Sequence, residues 1–334
     1  MKFAVLLCAL LVGCGPSYGT GYSCVQGSGG LNCAGKYAQD VVNLADAGKG
    51  GTADASVPTS TDPVTATCMR WNADRKDLSE GTWSGNVKTC DAGDLSANGR
   101  TNALRQVNLV RYLAGLPEVT NDATLDAKAQ ACAMLMWANG SMSHTPPQTW
   151  KCWTQDAYDA ASHANLFSGA AVQSALVYSI DGGANNTDSL GHRRWLLSNS
   201  LGPIGIGSTV QGPSCLWVIG GSGNAGKAWQ AWPPPGVFPY AAHGDAYGDT
   251  VDKSGWSIQS DSLNLDKATV SVTESGVDMP VQTRSLASGY GSDSAIAFTP
   301  QGWTMAAGKT YHVVASGLPV EIAYDVKVVD CTGL

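Results

Sequence analysis

Histidine is the side chain whose ordinary pKa best suits chemistry near neutral pH, and this chain uses it sparingly. The 334-residue sequence has five: His144, His163, His192, His243 and His312. His144 follows a predicted helix, and His192 lies in a Gly-His-Arg segment before the first predicted strands. Neutral imidazoles that converge from separate elements bind zinc, usually with carboxylates or water completing the shell. The sequence therefore offers His144 and His192 as metal ligands, with zinc as the candidate cofactor.

Helices with regular apolar spacing must position these two histidines. Residues 98–114 and 125–138 repeat apolar side chains at helical spacing, and residues 169–179 are rich in Ala, Val and Leu. Short strands are predicted after Gly202, and from about residue 250 the apolar residues alternate with period two. Several short alternating strands separated by turns are typical of a β-sandwich.

Three segments in the middle of the chain carry a specific order of motifs. They are NALRQVNLVRYLAGLP, LDAKAQACAMLMWANGSMSH and SLGHRRWLLSNSLGPIGIGS. Together they resemble a bacterial CAP domain (SCP/PR1-like, the cysteine-rich secretory protein superfamily) over residues 98–220. The resemblance implies an α-β-α sandwich with a cleft. Fuller members place two His and two Glu in that cleft, and some bind zinc; His144 matches the first His and His192 the second.

The acidic residues of the family do not carry over to this chain. The Gly-Glu-Asn stretch of the family is replaced here by Ser162-His163-Ala164-Asn165, so that the Glu position is Ala164. The second Glu has no clear match, and Asp181 or Asp188 would replace it only with a different geometry. The cleft that the resemblance implies contains six residues: His144, His163, Asn165, Asp181, His192 and Arg193. Arg193 is expected to hold its loop by pairing with a carboxylate or with carbonyls.

The N-terminus predicts export. Lys2 precedes an apolar run from Phe3 to Val12, which is too short for a membrane-spanning helix. The run ends in Leu11-Val12-Gly13-Cys14, which resembles the bacterial lipobox. Residues 1–13 are therefore predicted to be a lipoprotein signal peptide, with Cys14 as the lipidation site. This predicts a protein anchored by lipid at the cell envelope or surface.

The cysteines predict disulfides. Without Cys8 and Cys14, an even set of eight remains in an exported chain, which indicates disulfide bonds rather than free thiols. The eight are Cys24, Cys33, Cys68, Cys90, Cys132, Cys152, Cys215 and Cys331. The sequence alone does not fix their connectivity. Sequential pairing is the working hypothesis: Cys24–Cys33, Cys68–Cys90, Cys132–Cys152 and Cys215–Cys331.

The predicted fold class is α+β, in four segments. After the signal peptide, residues 14–95 are rich in Gly, Ser, Thr, Ala and Asp and are predicted to be a tether with disulfide loops. Residues 96–228 are predicted to form the CAP-like domain. Residues 229–334 are predicted to form an all-β sandwich that resembles the immunoglobulin-like modules of bacterial surface proteins.

The charge balance bears on which partners the protein binds. With 27 acidic and 20 basic residues the formal net charge is −7, and the absence of basic clusters argues against nucleic acid as a partner. The leading hypothesis is a surface-anchored protein that binds a small apolar or envelope-derived ligand in its cleft, without firm catalytic activity. One alternative is a metal-dependent hydrolase that uses His144 and His192. Another is a structural envelope adhesin with a vestigial cleft.

Overall fold

The computed structural model describes residues 23–27, 30–34, 60–183 and 186–334, and the chain divides into two units, Met1–Asn43 and Leu44–Leu334. In the first unit, strands β1 (Ser23–Gly27) and β2 (Gly30–Ala34) pair antiparallel, with Cys24 opposite Cys33. Their side chains are outside the described part, so the Cys24–Cys33 disulfide stays a prediction. The predicted signal peptide and Cys14 also lie outside it.

The second unit begins its folded structure earlier than the predicted boundary at residue 96. Helix α1 (Pro63–Asp74) starts with Asp62 as its N-cap and a proline in its first turn, both favourable at a helix start. Its Cys68 and Trp71 side chains are buried in the main hydrophobic core. Residues 60–95 are therefore part of the folded unit rather than of the predicted tether, because this helix contributes apolar side chains to the core.

Five further helices and three strands complete what we call the helical domain, residues 60–228. The helices are α2 (Ala97–Leu113), α3 (Ala123–Asn139), α4 (Gln155–His163), α5 (Ala171–Ile180) and α6 (Gly191–Leu196). The strands are β3 (Ala164–Phe167), β4 (Gly205–Ser208) and β5 (Ser214–Trp217), which form an antiparallel sheet in the order β3-β5-β4. The three helices predicted from the sequence correspond to α2, α3 and α5.

Successive residues of β5 show how the helical domain is layered. Cys215 packs with α3 and α4, whereas Leu216 faces the core that contains α2 and α5. Alternation of side chains along a strand therefore places helices on both faces of the sheet. Gly207 in β4 permits the closest approach, because a Cβ there would lie 2.1 Å from the Ala129 carbonyl of α3. The glycines of the Ile-Gly-Ile-Gly segment thus let helix α3 pack directly on the strand.

The strands that follow form the strand module, residues 229–334. They are β6 (Gln230–Trp232), β7 (Gly236–Pro239), β8 (Trp256–Ser260), β9 (Thr269–Glu274), β10 (Val277–Asp278), β11 (Val281–Ser285), β12 (Ser294–Pro300), β13 (Thr310–Ser316) and β14 (Ile322–Val329). A short 3-10 helix (Tyr240–Ala242) and helix α7 (Val251–Ser254) lie between β7 and β8.

The strand module consists of two sheets with a shared core. One sheet has the order β10-β9-β13-β14-β7 and the other β11-β12-β8-β6, and all pairs are antiparallel except β14 with β7. Trp256 of β8 meets Tyr311 of β13 edge to face, with 5.6 Å between ring centroids. The contact joins the two sheets through their buried faces, as the period-two pattern predicts. The resemblance to immunoglobulin-like modules stays a prediction.

The disulfides correct the sequential pairing hypothesis. Within residues 60–334 as described, three bonds are present: Cys68–Cys331, Cys90–Cys152 and Cys132–Cys215. The predicted pairs Cys68–Cys90, Cys132–Cys152 and Cys215–Cys331 are therefore wrong. The physical reason is tertiary, because α3 lies across β5 and the C-terminus lies beside α1. The Asn72 side chain of α1 donates to the Cys331 carbonyl at 3.0 Å.

Disulfides of this number are typical of exported proteins. Within the part of the chain that the structure describes, no helix combines the length and the apolarity needed to cross a membrane.

Candidate functional site

One cleft contains both histidines that the sequence singles out. It has a volume of about 350 Å³ and is lined by His144 and His192 together with Ala164 and Asn165. These residues come from the loop after α3, from the first turn of α6 and from β3. The sheet and the two helix ends thus bring together side chains that are up to 48 positions apart in sequence (192 − 144 = 48). Ala164 contributes no carboxylate to this wall.

His192 is oriented by a buried carboxylate. Its Nδ1 lies 2.8 Å from Oδ1 of Asp181, and the second carboxylate oxygen of Asp181 accepts the Arg193 backbone N–H at 3.1 Å. Asp181 occupies the C-cap of α5 in the left-handed region, with φ of 51°. The Tyr178 ring stacks on the His192 imidazole, with 5.0 Å between centroids. A carboxylate on Nδ1 fixes the tautomer and directs Nε2 to other partners.

His144 is oriented by a backbone carbonyl. Its Nδ1 lies 2.9 Å from the carbonyl oxygen of Ala161 in α4. Because a carbonyl only accepts, Nδ1 is the donor and the Nε2 of the neutral ring carries a lone pair. No hydrogen bond joins either Nε2 to any residue that the structure describes. Each of the two imidazoles that line the cleft thus has an Nε2 that is free to act as an acceptor or a ligand.

The other predicted cleft residues have different positions. Asn165 lines the cleft, and its side-chain amide donates to the His192 carbonyl at 3.0 Å, which ties β3 to α6. Asp181 is buried behind His192 and does not line the cleft. His163 is outside it as well: the ring stacks on Trp217 at 4.7 Å, and its Nδ1 lies 2.7 Å from the Asp159 carbonyl. His163 ends α4, one residue before the strand whose side chains reach the cleft.

Arg193 holds the loop, but through carbonyls and hydroxyls. It is fully buried, and its guanidinium donates to the carbonyls of Ser179, Ile180 and Gly255 at 2.6–2.7 Å. It also donates to the hydroxyls of Ser254 and Ser257, which belong to the strand module. Burial lowers the pKa of Arg193 to about 10. All its donors are used, so Arg193 positions α6 and contributes nothing directly to the cleft.

The strand module contributes a wall of the cleft that the sequence does not predict. Gly289 and Tyr290, in the loop between β11 and β12, line the cleft opposite the helical domain, as do Asn186 and Ser189 from the segment before α6. No periodicity or motif marks Tyr290. The available signal was Arg194, which follows the loop-holding Arg193 and needs acceptor partners from another part of the fold.

The predicted zinc ligands can be compared with the usual requirements of a zinc site. Catalytic zinc usually has three protein ligands and one open position. Within residues 60–183 and 186–334, no group of three or more His, Cys, Asp or Glu side chains is arranged to hold a metal ion. His144 and His192 alone are one ligand short of that set, and the nearby Asp181 carboxylate is already bonded to His192 Nδ1. The described residues do not make a complete zinc site, so zinc stays a prediction.

Comparison with known proteins finds a family similarity only in the helical domain. No curated protein and no solved structure matches the chain significantly. Residues 104–219 match the family model of CAP, the cysteine-rich secretory protein family. The matched range contains both cleft histidines and all three strands of the central sheet, and it ends before the strand module. Residues 104–219 of this chain are therefore similar to that family.

Proposed function

We propose that this protein binds a small apolar or envelope-derived ligand in the cleft shared by His144 and His192. The observation that carries the proposal is the pair of Nε2 atoms. Each histidine has its Nδ1 taken by a fixed protein acceptor, and each leaves Nε2 without a partner among the described residues. A concave site with a few convergent polar groups is the usual form of a small-molecule site.

Binding is favoured over hydrolysis by what lines the cleft. A hydrolase needs a nucleophile, or a metal-bound water with a base within hydrogen-bond reach. The two described serine hydroxyls of the cleft have other partners: Ser162 Oγ donates to the Asp159 carbonyl, and Ser189 Oγ accepts the Gly191 N–H. The Glu position is Ala164. The groups that remain fit ligand recognition better than bond cleavage.

A mass-spectrometric experiment tests this proposal. The purified protein is incubated with an aqueous–organic extract of cell envelopes, desalted and measured under native conditions. A bound mass is expected for the wild type and for His312→Ala, whose imidazole pairs with Asp325 on an exposed strand pair. The bound mass should be lost in the double variant His144→Ala, His192→Ala. Equal capture by the double variant, or none by the wild type, would favour a vestigial cleft in a structural adhesin.

A metal-dependent hydrolase is the second candidate, and one observation favours it. A carboxylate on the second ring nitrogen, as Asp181 provides for His192, is the usual outer partner of a metal-bound histidine. Titration of untagged protein with zinc tests it by calorimetry. Stoichiometric uptake that His192→Ala abolishes would support this candidate, and absence of heat would remove it.

Anchoring at an envelope completes the proposal. The three disulfides support export, and the proposed attachment is a lipid on Cys14. Expression with Cys14→Ala should move the protein from the membrane fraction to the soluble fraction. An unchanged distribution between the fractions would contradict the anchor.

A further inference from the structure

The cleft has a second wall, made by Tyr290 of the strand module. Its ring lies against the backbone of Gly191, next to His192: a Cβ on Gly191 would lie 2.6 Å from Cδ1 of Tyr290. The Tyr290 side chain is 38% exposed, so part of the ring is open to a ligand. A glycine before His192 therefore leaves room for an aromatic ring that comes from the strand module.

Arg194 fixes the loop that carries Tyr290. Its guanidinium donates to the Ala287 carbonyl at 2.5 Å and to the Ser292 carbonyl at 3.0 Å, on either side of Tyr290. Gly291 has φ of +61°, and a Cβ there would lie 2.4 Å from the Arg194 carbonyl. The loop backbone thus packs directly on α6. The position of Tyr290 is therefore set by close backbone contact of its loop with α6 and by the Arg194 guanidinium, which lies 5.8 Å from the centroid of the Tyr290 ring.

The strand module also holds the segment before α6, which supplies Asn186 and Ser189 to the cleft. The Ala287 N–H donates to the Asp188 carbonyl at 2.8 Å. Leu190 is fully buried in a separate apolar cluster with three strand-module residues, Leu286, Ala295 and Ala297. Both sides of this part of the cleft thus depend on the strand module. The module is a component of the site in addition to any role as a spacer.

The side chains that line the cleft limit the chemical classes of ligand that it can bind. No Asp, Glu, Lys or Arg side chain is among the described residues that line the cleft. The polar groups are neutral or weakly basic: two imidazoles, amides and hydroxyls. Trp195 and Tyr290 add aromatic rings. A ligand with a formal charge would find no permanent countercharge, and a long alkyl chain would leave the polar groups without hydrogen-bond partners.

We infer that the two-walled cleft binds a neutral mono- or disaccharide, with Tyr290 as the specificity-determining residue. This inference rests on the proposed function and names its ligand class. An aromatic ring packs against the C–H face of a sugar, while the Nε2 atoms of His144 and His192 accept from its hydroxyl groups. The volume of about 350 Å³ is near the lower end of the range for small-molecule sites, roughly 300–1,000 Å³, and suits a ligand of this size.

The test uses the full chain and two defined probes, N,N′-diacetylchitobiose and palmitate, by calorimetric titration. The disaccharide should bind the wild type, and Tyr290→Ala should weaken it about ten-fold. Tyr240→Ala is the matched control, because Tyr240 is 42% exposed and does not line the cleft. Thermal unfolding of each variant confirms that the exposed replacements leave the fold intact.

The possible outcomes distinguish a failure of the saccharide assignment from a failure of ligand binding in the cleft. Disaccharide binding that Tyr290→Ala leaves unchanged would overturn the role of Tyr290 while the ligand cleft stands. Palmitate binding without disaccharide binding, abolished by His144→Ala with His192→Ala, would overturn the saccharide class and keep the proposed function. Binding of neither probe, together with no capture from the envelope extract, would overturn both.

Discussion

Replacing Arg193 with Met should destabilise the whole protein strongly. Methionine keeps much of the side-chain length but removes every N–H donor of the fully buried guanidinium. Three backbone carbonyls lose a hydrogen bond from Arg193. The Ile180 carbonyl keeps one from the Ser254 hydroxyl, so Ser179 and Gly255 are the acceptors most affected.

The magnitude follows from those two acceptors. A buried polar group left without its partner costs about 1–3 kcal/mol, which gives roughly 2–6 kcal/mol for two. Relief of the cost of burying the guanidinium offsets part of this, whereas the nearby Asp181 carboxylate loses a favourable charge. We therefore expect the free energy of unfolding to fall by about 2–4 kcal/mol.

Urea unfolding followed by tryptophan fluorescence measures this change. Lys309→Met is the control, because Lys309 forms an exposed ion pair with Glu274 and should change stability by no more than about 1 kcal/mol. A fall of less than about 1 kcal/mol for Arg193→Met would refute the reasoning. It would mean that the carbonyls find other donors and that Arg193 does not join α6 to the strand module.

Three more predictions address the disulfides, the buried carboxylate and the close-packed glycine. The double variant Cys68→Ser, Cys331→Ser should lower the free energy of unfolding by about 2–5 kcal/mol, because the bond closes a long loop; peptide mapping of the wild type without reduction should recover this pair, and a Cys68–Cys90 peptide would contradict it. Burial raises the pKa of Asp252, but hydrogen bonds from His243, Trp256 and Met305 outweigh burial and leave that pKa below its usual value. Its contribution is therefore present above the unfolded pKa of about 3.9 and is lost as pH falls through the lower folded value. The stability gap between wild type and Asp252→Asn should thus shrink below about pH 4 in urea titrations, and a constant gap from pH 7 to 3 would be inconsistent with this. Gly207→Ala should cost about 1–3 kcal/mol or more in urea unfolding because its Cβ would strike the α3 backbone, whereas Gly244→Ala, with 3.4 Å to its nearest neighbour, should cost little; equal effects would refute the steric argument.

Local patterns predicted the helices well because apolar spacing is a property of a short segment. Helices α2 and α3 match the predicted ranges within two residues at each end. Helix α1 was not predicted because the segment around it is polar and rich in Thr. Asp62-Pro63 is nevertheless a recognisable helix start. Its burial depends on contacts with the C-terminus, which no local pattern reports.

The sequence predicted only part of the candidate site. The order of motifs pointed to His144 and His192, and the structure brings both to one cleft. His163 was grouped with them because it is adjacent to Ala164, yet its ring stacks on Trp217 outside the cleft. Tyr290 is 98 positions from His192 (290 − 192 = 98), and only the packing of two parts of the fold brings them together.

The predicted disulfide pairing was wrong because it, too, depends on which parts of the chain pack together. Sequence proximity favours neighbours along the chain, whereas the bonds join elements that are neighbours in space. Cys132 and Cys215 meet because α3 packs on β5.

We propose that His144 and His192 offer their Nε2 atoms to one cleft. Long-range ¹H–¹⁵N NMR spectra of histidine-labelled protein at pH 8 test it most directly, because they report which ring nitrogen carries the proton. We predict that both residues carry the proton on Nδ1, and that both Nε2 signals shift together when N,N′-diacetylchitobiose or the envelope extract is added. A proton on Nε2 of either residue, or shifts confined to one of them, would contradict the shared cleft.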